Sequence, residues 1–310
     1  MLQRVFPPGP GAVSWARSYA AGQQATSALA ARLTAAERAP AAAAAPRQLK
    51  SAPAMQQGRS GEEYITCGVL PQKGDYQLAQ IAGDVYAKHS ALPPGPFRRF
   101  TPHDLRRYGL DKALLRDKRS GLQANFYGNG RQVALAFAGT NGFNDWLTNL
   151  RASLGYRDAQ YQASVALARQ ARHLFGDKVL FTGHSLGGSL AAIAAVATGS
   201  MAVTFNPAGV AEKTLSRYGA SPARAKRRAA NGSIRCYSGQ YDPLHCVQRW
   251  LPPLPEVPGH RITLRPPAQL AGNIPPLQAL VSFCQAHGIK DVIAAMARVI
   301  KPAVNDTQPQ

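Results

Sequence analysis

Acidic residues are scarce in this chain. Only 16 of its 310 residues are Asp or Glu, against 36 Lys or Arg, for a formal net charge of +20. A surplus of that size predicts attraction to something anionic: a membrane surface, nucleic acid or an acidic partner. Cysteine is scarce as well. Cys67, Cys236, Cys246 and Cys284 are widely spaced and form no C-x-x-C pair, which argues against a disulfide framework or a zinc site. Most are expected to be buried thiols, and a Cys236–Cys246 bridge has no positive support. Long apolar runs are missing too, since none approaches the roughly 18–20 residues that span a bilayer. Pro7, Pro8 and Pro10 interrupt the place where the apolar part of a secretory signal would follow Arg4. The expectation is a soluble chain, or one delivered by another route.

Large apolar side chains are few in residues 1–61, which are rich in Ala, Gln, Pro, Ser and Arg and carry seven basic residues against Glu37 alone. Such a segment cannot bury enough surface to offset its ordering entropy, and it is expected to be a disordered leader. An acid-poor, Arg-bearing, small-residue-rich leader has the composition of a targeting or secretion signal, and equally that of an Ala-rich linker. Residues 62–305 read differently. Strands are expected at 123–127, 132–137, 178–182, 202–205, 233–238 and 261–265. Helices are expected at 76–88, 161–174, 189–196 with an extension back towards residue 185, 208–217 and 290–300. Strands alternating with helices predict an α/β domain, a mostly parallel sheet with helices on both faces.

What the chain does have is "VLFTGHSLGGSLAAIAAVATG" (residues 179–199). A short β-rich run enters Gly183-His184-Ser185-Leu186-Gly187, and a strong helix former leaves it. Five residues of G-x-S-x-G arise by chance in Gly-rich chains. Between a strand and a helix they describe a nucleophile elbow, a sharp turn that exposes the serine hydroxyl. Gly183 and Gly187 stand where a side chain would collide with the turn. Ser185 also sits at a helix N-terminus, whose dipole and N–H groups favour a developing oxyanion.

"VALAFAGTNGFNDWLTNL" (residues 133–150) followed by "FTGHSLGG" resembles the motif pair of class 3 lipases, a family of the α/β-hydrolases. The resemblance runs from about residue 123 to 300, with Ala138 where the family often has Arg. It implies an α/β-hydrolase fold and a serine hydrolase acting on lipid esters. Thr140 would serve as one oxyanion donor beside Leu186, the residue after the nucleophile. Residues 141–151 would correspond to a lid with Phe143, Trp146, Leu147 and Leu150 as its apolar face; those four could equally be the buried stripe of a helix.

Hydrolases of this kind order the triad as Ser, acid, His. Asp242 in "YSGQYDPLH" is the expected acid, because it follows the strand at 233–238 at the edge where such sheets gather catalytic groups. Glu256 lies in a Pro-rich loop and Asp291 inside a helix. For the base, His245 is too close to Asp242, His260 begins a strand and is held in reserve, and His287 follows a loop that can return to the elbow. His287 is favoured, and the family resemblance agrees with it. His184 reads as structural.

The expected activity is that of a carboxylic ester hydrolase, a triacylglycerol lipase or phospholipase A, with no metal and no cofactor. Basic character concentrates at Arg98-Arg99, Arg106-Arg107, Lys112 to Arg119 and Ala223–Arg228. These groups could hold the protein on an anionic phospholipid membrane, with Arg98, Arg99, Arg224, Lys226, Arg227 and Arg228 as the named candidates, at about 1 kcal/mol per cation near the surface. No helix-turn-helix, zinc or RNP-type signature accompanies the charge, so nucleic acid is not the expected partner. The leader suggests a bacterial effector carried into a host cell by a non-Sec route and peripheral on membranes, with a plastid or other organelle as the alternative. A second functional class competes: a lipase-fold protein that binds phosphoinositides or a host protein.

Overall fold

In the computed structural model, residues 64–139, 154–218, 221–240, 242, 258–265 and 287–300 are described. The leader at 1–61 lies outside them, as do Thr140, Phe143, Trp146, Leu147 and Leu150. The chain runs through α1 (Lys73–Asp84), β1 (Arg98–Arg99), α2 (Pro102–Arg107), β2 (Arg116–Asp117), β3 (Leu122–Gly128), β4 (Val133–Phe137), α3 (Leu154–Phe175), β5 (Val179–His184) and α4 (Leu186–Thr198). It continues through β6 (Met201–Phe205), α5 (Glu212–Arg217), α6 (Pro222–Arg228), β7 (Ile234–Gly239), β8 (His260–Leu264) and α7 (Ile289–Ile300).

The strands form one sheet in the order β1-β3-β4-β5-β6-β7-β8, with β2 also paired to β3. Strands β4 to β8 are parallel, whereas β3 is antiparallel to β4, and β1 and β2 pair antiparallel with opposite ends of β3. Every residue of β4 and β5 is buried, as expected of parallel strands covered on both faces. On one face Val133, Leu135, Phe137 and Phe181 pack with Leu167, Ala168 and Ala171 of α3 and Leu190 to Ala195 of α4. On the other, Ala134, Ala136, Leu180 and Val203 pack with Leu78, Ile81 and Ala82 of α1 and Val292 and Met296 of α7. Each fully buried Leu, Phe or Ile contributes about 1.5–3 kcal/mol of apolar transfer, so these two layers hold the sheet as a rigid platform. This is the α/β-hydrolase arrangement that the motif pair implied.

The expected elements are present with shifted ends, and the clearest shift has a local cause. The helix expected at 208–217 begins only at Glu212, because Ala208 is tied to the elbow: its N–H donates to the Ser185 carbonyl and its own carbonyl accepts from the Ser189 hydroxyl. The short elements β1, β2, α2 and α6 carry too little periodicity to be read from sequence. Cys236 is a free buried thiol that accepts a hydrogen bond from Thr204, with its acidity suppressed by burial to a pKa of about 11, and Cys67 is free and exposed. Among the described residues no helix is long and apolar enough to cross a membrane, and no cluster of His, Cys, Asp or Glu is arranged to hold a metal.

Candidate active site

Ser185 stands between β5 and α4 with φ 57° and ψ −124°, a backbone conformation that non-glycine residues rarely adopt. Two features hold it there. Its N–H donates to the Phe205 carbonyl at 3.0 Å, and its carbonyl accepts from the N–H groups of Gly188, Ser189 and Ala208. The turn also brings backbone against backbone. A Cβ on Gly187 would lie 2.1 Å from the Phe137 oxygen, and one on Gly183 would lie 2.3 Å from the Gly187 oxygen. Neither obstacle is a side chain that can swing aside, so only glycine fits. Leu186 opens α4, so its N–H belongs to the first turn, which the helix itself leaves unbonded.

Asp242 and His287 come to this turn from two later loops. His287 Nε2 lies 2.9 Å from Ser185 Oγ, and its Nδ1 lies 2.5 Å from Asp242 Oδ1. Both side chains are almost fully buried, at 6% and 1% exposure. A carboxylate only accepts, so Nδ1–H is the donor to Asp242 and Nε2 is left to accept the serine proton. Asp242 is fixed through its backbone as well, its N–H donating to the Gly239 carbonyl at 3.0 Å. His260 is elsewhere. It opens β8 opposite Arg235 at the start of β7, the end of the sheet away from the elbow.

The cations expected to meet a membrane lie mostly away from the elbow. Arg99 is 13% exposed and turned inward: its guanidinium pairs with Asp84 at 2.9 Å, contacts the Tyr127 hydroxyl at 3.2 Å and donates to carbonyls at the end of α1. Arg98 is exposed, but it pairs with Asp104 at 2.7 Å and holds that carboxyl well below the usual range. It stands opposite Gly128, at the far end of β3 from the elbow. Lys226 is paired with Glu212 on the surface, and Arg228 donates to the Gly199 carbonyl between α4 and β6, also at the far end. Arg227 is exposed beside it, and the Arg224 side chain lies outside the described residues. Charge counted along a sequence does not say which end of a sheet it decorates.

Residues 77–308 match the phospholipase-like family described as the Tle-like phospholipase domain. An extracellular phospholipase A1 of Serratia liquefaciens is 47% identical over 235 residues, which is 75% of this chain and 73% of that protein. The chain belongs to the Tle-like phospholipase family. A crystal structure of a mutant form of MDLA from Penicillium cyclopium aligns with 66% of this chain and 80% of its own at 14% identity, with a TM-score of 0.36, too distant to carry an argument.

In this Tle-like phospholipase chain, three side chains around the serine were not singled out by the sequence reading, or only as structural. Asn206, fully buried at the end of β6, donates through Nδ2 to the His287 carbonyl at 3.1 Å and accepts the Gly239 N–H through Oδ1 at 2.8 Å. His184 places Nε2 2.6 Å from the same His287 carbonyl, so that nitrogen carries the proton. Burial, reinforced by the nearby His287, pushes its pKa down to about 3 and keeps it neutral. Tyr86, just beyond α1, accepts the Gly139 N–H at 2.8 Å and so holds the last described residue before Thr140; burial raises its pKa to about 12. An Asn-Pro pair directly after an expected strand (Phe205-Asn206-Pro207) is a signal that could have been used, since Asn tolerates the positive φ of 41° found there. Nothing in the sequence around Tyr86 announces its contact.

Proposed function

We propose that this protein cleaves carboxylic esters of phospholipids by covalent serine catalysis, with Ser185 as nucleophile, His287 as base and Asp242 as the acid that orients it. The observation that carries this reading is the continuous hydrogen-bonded line Ser185 Oγ–His287–Asp242, at 2.9 and 2.5 Å. His287 takes the hydroxyl proton as Ser185 attacks the ester carbonyl, and Asp242 stabilises the imidazolium formed. The Leu186 N–H, with Thr140 as the second donor, meets the oxyanion, each such donor being worth about 2.7–4 kcal/mol in a transition state. His287 returns its proton to the leaving alcohol, and water then releases the fatty acid from the acyl-serine by the same steps in reverse order.

The Serratia relative's name supports phospholipase A1 action and an exported protein. In this reading residues 62–305 form the hydrolase and residues 1–61 are its export leader, with Phe143, Trp146, Leu147 and Leu150 forming the apolar face of a lid. The finer reading is an effector carried by a non-Sec route to the membranes of a host cell. The basic surplus supports a peripheral hold on anionic lipid, without a nucleic-acid role.

The test is fatty-acid release from phospholipid vesicles, alongside hydrolysis of a soluble short-chain ester. Ser185→Ala and His287→Ala are expected to lose about 10,000-fold or more in kcat, and His260→Ala to match the wild type. Undiminished turnover by Ser185→Ala would overturn the assignment.

A further inference from the structure

The register of the sheet locates a group of cations that the sequence does not distinguish from the others. Arg116 in β2 stands opposite Gln123, the Gln123 carbonyl accepts the Ala138 N–H at 2.9 Å, and Phe137 stands opposite Gly183. Arg116 is therefore level with the end of β4 and with the last residues of β5 before Ser185. Neighbouring strands are about 4.8 Å apart, so the three steps from β2 through β3 and β4 to β5 amount to about 14 Å. Beyond β2 the chain turns through residues 118–121 to enter β3 at Leu122, so that this turn projects past the edge of the sheet from which the elbow opens.

Arg116, Lys118 and Arg119 are exposed, and among the described residues none of them has an ion pair or a side-chain hydrogen bond. The neighbouring acid forms no ion pair with them and leaves the turn with a net positive charge. Asp117 uses its carboxylate on the turn itself, accepting the N–H groups of Arg119 at 3.0 Å and Ser120 at 3.2 Å. At the opposite end of the sheet Arg98, Arg99, Lys226 and Arg228 are held by Asp104, Asp84, Glu212 and the Gly199 carbonyl. Among the described residues Lys178 and Arg227 are uncommitted at that opposite end too, but Arg116, Lys118 and Arg119 form an uncommitted group at the end where Ser185 opens.

We propose that the turn carrying Arg116, Lys118 and Arg119 is the surface by which this protein seats on an anionic phospholipid bilayer, with the Ser185 end of the sheet turned to the lipid. The proposal rests on the phospholipase reading, which supplies the reason for bilayer and serine to meet at one face. Cations in this position attract the surface through its negative potential and release it as salt screens them.

The experiment measures sedimentation with phosphatidylglycerol and phosphatidylcholine vesicles for wild type, Arg116→Glu/Lys118→Glu/Arg119→Glu, and the far-end control Lys226→Glu/Arg227→Glu. Hydrolysis of a soluble short-chain ester is followed in parallel. The first variant is expected to bind phosphatidylglycerol vesicles about a hundredfold more weakly. It should keep wild-type turnover of the soluble ester, while the control binds as the wild type does. Binding of wild type and triple variant alike, equal losses in both variants, or capture of a duplex oligonucleotide with no vesicle binding would each overturn the proposal. A wild type that binds vesicles through this turn yet hydrolyses no ester would uphold the docking surface and sink the phospholipase reading instead.

Discussion

Asn206 joins the two loops that carry Asp242 and His287: its amide nitrogen donates to the His287 carbonyl, and its amide oxygen accepts from Gly239, three residues before Asp242. Because Asp242 is itself bonded to the Gly239 carbonyl, one buried side chain sets the separation of both loops. Asn206→Ala leaves the His287 carbonyl with the His184 donor and removes the partner of the Gly239 N–H. An unpaired buried group costs about 1–3 kcal/mol. The expected outcome is a ten- to hundredfold fall in kcat on a soluble ester with KM nearly unchanged, as expected if the base is displaced and the binding surface is not. A proportional rise in KM with kcat intact would assign Asn206 to substrate binding.

Ser185 is held against a backbone preference. A residue held at φ 57° and ψ −124° outside the favoured regions costs about 1–3 kcal/mol, and glycine occupies such conformations without a Cβ conflict. Both Ser185→Ala and Ser185→Gly remove the hydroxyl, so activity does not separate them, but stability does. Ser185→Gly is expected to exceed Ser185→Ala in unfolding free energy by about 1 kcal/mol in a urea titration. An equal or lower value would show that the elbow is not strained at this position.

Arg235 is the largest of the fully buried side chains, and Asp75 is its counter-ion. The guanidinium makes two bonds of 2.7 and 2.8 Å to the Asp75 carboxylate, which also accepts the Tyr237 hydroxyl at 2.7 Å. Two further contacts run to the carbonyls of Thr66 and Gly68, so this network ties the start of α1 and the segment before it to β7. Breaking a buried pair leaves an uncompensated charge, at a cost of about 3–5 kcal/mol. Asp75→Asn should lower the urea midpoint markedly, while Asp75→Asn combined with Arg235→Met recovers part of the loss. Additive losses in the double variant would contradict the pairing.

The legible parts of this molecule were those whose signal is local. The strands expected at 132–137 and 178–182 rested on short apolar runs that fit doubly covered strands, and Gly183 and Gly187 mark a turn where their neighbours are backbone. Asp242, expected just past a strand, and His287, expected on a late loop, are brought together with Ser185, although neither contact could be seen in the sequence. The illegible parts join distant positions. Asp75 and Arg235 are 160 residues apart, and Tyr86 meets Gly139 across 53. The placement of the cations was illegible for a related reason: Arg98-Arg99 and the 116–119 turn look alike as sequence, and only the register of β1 and β2 at opposite ends of β3 separates them.

His184 gives the fold a dependence on pH with a defined sign. In the folded protein its pKa lies at about 3, held down first by burial and then by His287, whereas an unfolded histidine titrates near 6.5. Above about pH 6.5 both states are neutral and the contribution of this residue to stability is complete. As pH falls below that value the unfolded chain takes up a proton that the folded protein refuses. Stability then declines towards pH 3 with a slope approaching about 1.4 kcal/mol per pH unit. Glutamine can still donate to the His287 carbonyl but does not titrate, so His184→Gln should remove this slope and no other. Urea midpoints measured from pH 7.5 to 4 are expected to fall more steeply for the wild type, the two curves converging on the acid side. Parallel curves would mean that His184 takes up its proton in the folded state, and then it could not keep donating from a neutral ring to the His287 carbonyl.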